Sequence, residues 1–347
     1  MLEVKIYKDF GDFILDANFK SDDKVLGILG ASGSGKSITL KCIAGIIKPD
    51  RGRIVLNNRV LFDSQKHINL KPQDRKIGFL FQDYALFPNM TVYENIKTGI
   101  RNKNVDIDSI INKKLEEMNL QNVKDNKPEE ISGGEKQRTA LARILVNDAE
   151  LLLLDEPYSA IDGYLRWIIE LEIKDTIEKY GIQTLFVSHD RDEVYRMCDS
   201  ITIMKDGKSE SIKKTKNLFE NPVTLSAAEL SGCKNFSILE NIKNNEFYAK
   251  DWGIELTLKN YKPCDIVGMR SHYIKITDQK VEENVYPLEI VKEIEELFNY
   301  CIIAKSEDTK LNGNIRIDIE KDRWNELKKK GKLYFQIKEE DLLYLEK

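Results

Sequence analysis

A lysine and a serine close the stretch Gly30-Ala31-Ser32-Gly33-Ser34-Gly35-Lys36-Ser37, which fits the pattern GxxxxGK[ST]. Glycines at these positions let the backbone curl so that successive amides face phosphate oxygens, and a helix opening at the lysine aims its positive end at the same point. Lys36 would then reach the β- and γ-phosphates of a nucleoside triphosphate, and Ser37 would ligate magnesium. Ile38 is the first apolar residue of that helix and closes the candidate nucleotide-binding stretch. A Gly-Ser segment alone is more often a flexible connector. Here an apolar run directly before it and an amphipathic run over 38–46 supply the strand and the helix that the chemistry needs.

Two carboxylates end another apolar run, Leu151-Leu152-Leu153-Leu154-Asp155-Glu156. Asp155 suits the magnesium shell, and Glu156 suits polarisation of an attacking water. A strand meeting a solvated Asp-Glu turn is ordinary by itself; its place after a phosphate loop gives it catalytic weight. Ser132-Gly133-Gly134-Glu135 precedes a helical run through Ala140, Leu141, Ile144 and Leu145, which puts a serine and free amides at a helix N-terminus, a position suited to an anion. Taken alone, that stretch would read as a plain helix cap.

These segments need elements to hold them. Short apolar runs at 24–29, 77–81, 151–154, 183–187 and 200–204 alternate with longer amphipathic stretches. Runs apolar on both faces read as strands of a largely parallel α/β sheet, with the chemistry in loops at their carboxyl ends. After residue 233 the texture changes to alternation, as in Asn314-Ile315-Arg316-Ile317-Asp318-Ile319, with a turn signal at Asn312-Gly313. This predicts a small antiparallel β-barrel with one short helix near 322–329. Two domains are expected, 1–232 and 233–347.

A chain of 347 residues, 41% of them hydrophobic, can build two cores. A net charge of −4 without blocks of like charge argues against a nucleic-acid footprint. Five cysteines with no CxxC pair point to neither a disulfide framework nor a zinc site. The first residues lack the pattern of a signal peptide, so no export is expected. No run of about 18 apolar residues occurs, so a role at a membrane would pass through a partner.

Taken in order, residues 30–37, 131–135 and 151–156 resemble the ABC ATPase family, whose Leu-Ser-Gly-Gly-Gln-like signature here reads Ile131-Ser132-Gly133-Gly134-Glu135. The resemblance implies a P-loop α/β domain with a mixed sheet and a helical subdomain, followed by a small OB-like β-barrel. It implies ATP and Mg2+ as the bound species. It implies that Gln82 is the Q-loop glutamine, serving both the metal and the water, and that Ser159-Ala160-Ile161-Asp162 is the D-loop. His189 becomes the switch histidine facing the γ-phosphate. Phe10 resembles the ring that stacks on adenine, with Phe13 an equally good ring three residues on. The family pattern further implies a head-to-tail dimer, in which the signature of one copy caps ATP held by the P-loop of the other.

Importer-type ATPases share a C-terminal β-domain and a Q-loop similar to Gln82-Asp83-Tyr84-Ala85-Leu86-Phe87-Pro88. Residues 52–61, 72–83, 132–138 and 151–157 look most like the molybdate-importer group, while the oxyanion-binding Ser-Ala-Arg-Asn pattern of molybdate-sensing domains is not visible. This likeness implies a transmembrane permease as partner, an extracytoplasmic solute-binding protein beyond it, no nucleic acid, and a peripheral place on the cytoplasmic face of the membrane. The expected solutes are molybdate or tungstate, then sulfate, ferric iron or polyamine. A non-transport ABC ATPase would need a coiled-coil insertion or a second cassette, and a catalytically dead regulator would lack Lys36 or Glu156.

Overall fold

The computed structural model describes residues 1–347 except 82, 101–104, 148, 159–162, 281–282, 308–312 and 347, and the side chains of 163–165. Gln82, the stretch Ser159 to Asp162 and Asn312 therefore lie outside the described residues. The chain divides into two compact units, Met1–Thr215 and Lys216–Lys347. Composition places the change of texture near 233; the contacts group 216–232 with the second unit. Ala228 packs there with Cys233, Ile266 and Leu345, and the Ser231 carbonyl accepts a 2.8 Å hydrogen bond from Arg270.

The first unit is built on one mixed sheet. Its parallel part runs in the order Ser200–Lys205, Val25–Leu29, Gln183–Ser188, Leu151–Asp155, Ile77–Leu80. Val25–Leu29 and Leu151–Asp155 are buried along their whole length, as continuous apolar runs must be when both faces are covered. Each fully buried leucine of the 151–154 run contributes about 1.5–3 kcal/mol relative to exposure. The sheet continues through antiparallel strands at Ile14–Ser21, Leu2–Asp9, Arg51–Leu56 and Arg59–Asp63. In Ile14–Ser21 every second residue is buried, the pattern of a strand with one face in the core.

A separate apolar cluster sits under the helices Val92–Lys97, Ile107–Glu117 and Gly133–Leu145; Ile96, Ile111, Leu115, Ile131 and Ala142 belong to it. This is the helical subdomain. Thr91 and Ser132 open the first and last of these helices with capping boxes, each closed by a glutamate three residues on.

The second unit takes the form of two five-stranded antiparallel sheets around a shared core. Ile315–Glu320 alternates buried and partly buried residues, and the helix Lys321–Leu327 buries Trp324 completely. The hairpin Val285–Glu295 with Asn299–Ser306 extends beyond that core, so Leu297 and Phe298 at its turn are about as exposed as side chains become, at 79% and 78%.

Candidate functional site

Strand order brings three distant segments to one edge of the sheet. Gln183–Ser188 lies between Val25–Leu29 and Leu151–Asp155, with Leu29 beside Ser188 and Val187 beside Asp155. The residues that follow these strands, from Gly30, Glu156 and His189, therefore emerge together at the carboxyl end of the parallel sheet.

The 30–37 loop wraps tightly. Gly35, at φ 102°, caps the helix Lys36–Ala44, and a Cβ there would come within 2.9 Å of the Phe13 ring. Gly30 has no room either, because a Cβ would lie 2.3 Å from the Met204 carbonyl oxygen. Ala31, Ser32 and Gly33 stay exposed at the loop's crest. Lys36 is buried, and its Nζ donates to the carbonyls of Gly30 and Ala31, both at 2.8 Å. Burial holds its pKa below the ordinary lysine value, while the nearby carboxylates of Glu156 and Asp155 oppose that shift.

Ser37 Oγ donates to Asp155 Oδ1 at 2.7 Å. Burial raises the Asp155 pKa; the Ser37 hydrogen bond works against the rise, and the Glu156 charge adds to it. Glu156 itself sits at φ 47°, a left-handed angle that a residue with a side chain adopts at steric cost. Its Oε2 lies 3.2 Å from His189 Nδ1. Beside them, Ser188 Oγ donates to Glu193 Oε2 at 2.7 Å, fixing the first turn of the helix Arg191–Met197. One lysine, one hydroxyl, two carboxylates and one imidazole thus face a common edge. Such a set can hold a phosphate chain and place a carboxylate base beside water. The hydroxyl and carboxylate oxygens of Ser37 and Asp155 are hard donors at a spacing that suits Mg2+.

Ser132 Oγ accepts from the Glu135 N–H at 3.3 Å, and Glu135 Oε2 accepts from the Ser132 N–H at 2.8 Å and its hydroxyl at 2.7 Å. These Ser132 bonds hold the Glu135 carboxyl below its usual pKa. Ser132 and Gly133 are exposed, and Gly134 and Glu135 half-buried. Among the described residues no hydrogen bond or ion pair joins 132–135 to 30–37. Phe10 is 45% exposed, 6.4 Å from Phe13 centre to centre. Phe13, by contrast, packs on the core beneath the loop.

Arg75 was not legible as a site residue. It is fully buried and donates to the carbonyls of Cys42 at 2.9 Å and Ile43 at 2.6 Å, closing the C-terminus of the helix whose other end begins at Lys36. No periodicity marks it, since its neighbours Asp74 and Lys76 are ordinary charged residues.

The ABC transporter family model matches residues 16–159. A Fe(3+) ions import ATP-binding protein of Fusobacterium nucleatum is 34% identical over 283 residues, covering 80% of this chain and 74% of the relative. A molybdate/tungstate import ATP-binding protein of Archaeoglobus fulgidus is 39% identical over 219 residues, covering 63% of this chain and 89% of the relative. Among solved structures, a dimeric ATP-binding cassette in a post-hydrolysis state, bound to ADP and Pi, is similar with a TM-score of 0.52 and 28% identity, covering 62% of this chain and 99% of that one.

Proposed function

We propose, on the premise that this chain belongs to the ABC transporter family and hydrolyses ATP as the ATP-binding subunit of an importer, that two copies close head to tail over two nucleotides. One observation carries this reading: the 30–37 loop and the 132–135 segment each have exposed residues suited to an anion, yet among the described residues no hydrogen bond or ion pair joins them.

In the closed pair, P-loop amides and Lys36 hold the phosphates, Lys36 exchanging its carbonyl partners for phosphate oxygens. Ser37 and Asp155, with Gln82, would hold Mg2+, which would supply positive charge to offset that of the phosphates. Glu156 takes the proton of the attacking water, and His189 keeps that carboxylate in line. Phe10, the more exposed of the two rings, stacks on adenine. Ser132 to Glu135 of the second copy cover the γ-phosphate, and Asp162 carries information across the interface. The products are ADP and phosphate.

The transported solute in this reading is molybdate or tungstate, with sulfate, ferric iron and polyamine as alternatives; likeness to both iron and molybdate relatives supports a cassette whose selectivity lies in other subunits. Its partners are a transmembrane permease and, through it, an extracytoplasmic solute-binding protein, and its place is the cytoplasmic face of the membrane. Among the described residues no helix is long and apolar enough to cross a bilayer. The domain after 232 has a regulatory or dimer-stabilising role.

Mixing two inactive variants tests the composite site. Lys36→Ala removes the phosphate charge, and Ser132→Arg blocks the cap. Their heterodimer holds one intact site, so an equal mixture recovers on the order of a quarter of wild-type ATPase activity if copies pair at random. A site contained in one chain would recover none. Oxyanion and metal uptake by cells lacking the chain tests the solute.

A further inference from the structure

The loop that leaves Gln82 is bent against its steric preference and held from two sides. Tyr84 and Ala85 both take left-handed angles, φ 61° and 43°, where side chains crowd the backbone. Arg143, in the helix Gly133–Leu145, donates from Nη1 to the Ala85 carbonyl at 2.7 Å and from Nη2 to the Tyr84 carbonyl at 2.9 Å. The same guanidinium lies 5.7 Å from the centre of the exposed Phe87 ring. From the other side, the fully buried Asn95 accepts from the Phe87 N–H at 2.8 Å and donates to the Met90 carbonyl at 3.0 Å. Burial lowers the Arg143 pKa.

We propose that Arg143 is a positioning residue that ties loop 83–88 to the helix opened by Ser132, so that the two move as one body. Its two bonds supply what the strained turn lacks on its own. An α-helix is stiff over this length, so a displacement of its N-terminal serine is carried to Arg143 and delivered to the chain directly after Gln82. Loss of the clamp lets the turn relax and misplaces that chain, which lowers turnover more than nucleotide binding.

The inference takes its activity readout from the ATPase reading, and a second readout is independent of it. In the full chain, Arg143→Met is measured for ATPase kcat and KM and for hydrogen exchange of residues 83–91, alone and combined with Ala85→Gly. Glycine holds a left-handed angle without help but rebuilds no tie to the helix, so the double variant relieves the turn while its turnover stays low. Arg143→Met alone is expected to lose about tenfold in kcat, to keep KM for ATP within about twofold, and to exchange faster in 83–91 but not in 151–158. Arg143→Lys, able to reach one carbonyl, falls between and carries the same comparison if the methionine variant does not fold. Recovery of turnover by Ala85→Gly, which would make the two bonds a brace for the turn alone, or slowed turnover with unchanged loop exchange in Arg143→Met, would overturn the clamp. A wild-type chain without ATP turnover would defeat the ATPase reading alone, and loop exchange would still decide the clamp.

Discussion

Ser37 Oγ and Asp155 Oδ1 meet at 2.7 Å, joining the first turn of the P-loop helix to the end of a strand 118 residues away. This bond is the main support of a carboxylate that burial holds above its ordinary pKa. A carboxyl whose folded pKa exceeds its unfolded value, about 3.9 for aspartate, favours the fold fully below that value and loses its contribution as pH rises through the raised one. At neutral pH, Asp155 therefore works against stability. Asp155→Asn is expected to raise Tm by about 2 °C or more at pH 7, with the gain shrinking toward pH 4, while weakening magnesium-dependent nucleotide binding. Thermal melts across that range with and without Mg-ATP check both signs; a lowered Tm at pH 7 would contradict the account.

Glu156→Gln keeps the side chain's shape and removes its basicity. Nucleotide binding should survive, hydrolysis should fall on the order of 10²- to 10⁴-fold, and a closed ATP-bound dimer should accumulate on size-exclusion chromatography. Turnover close to wild type would remove Glu156 from the chemistry.

Phe10 and Phe13 separate cleanly by variant. Phe10→Ala should weaken ATP binding about tenfold, the scale of one stacked base, with Tm unchanged. Phe13→Ala should instead cost about 1–2 kcal/mol of stability, because that ring packs under Gly35. The reverse pattern of affinity and Tm would assign the adenine to Phe13.

Truncation distinguishes the two boundaries. A chain ending at Thr215 should remain soluble and retain basal ATP hydrolysis. One ending at Gly232 keeps Ala228 but loses the Cys233, Ile266 and Leu345 side chains that cover it. It should therefore be the more aggregation-prone of the two by light scattering. Loss of ATP binding in the shorter chain would show that the second unit completes the nucleotide site.

The parallel strands were legible because burial on both faces writes continuous apolar runs, and the observed Leu151–Asp155 and Gln183–Ser188 differ from the expected spans by one residue at the end. The phosphate loop was legible because its glycines, lysine and serine fall within one short stretch, 30–37. Arg75, Asn95 and Arg143 were not. Each acts through backbone carbonyls, reached from tens of residues away by Arg75 and Arg143 and across a local turn by Asn95, and such contacts leave no spacing pattern. The antiparallel strands at Leu2–Asp9 and Arg51–Leu56 went unread because charged residues break up their apolar runs.

The order of strands in the central sheet also sets a timetable for biosynthesis. Val25–Leu29 lies between Gln183–Ser188 and Ser200–Lys205, both of which are made long after it. At about 5–20 residues per second, a ribosome takes roughly ten to thirty-five seconds to supply those neighbours. During that interval the phosphate loop has no flanking sheet to shape it, and ATP cannot assist its folding. Nucleotide acts as a stabilising ligand only on the finished domain. Substitutions that weaken the start of Gln183–Ser188, away from Ser188 and His189, should therefore reduce how much protein accumulates in a cell.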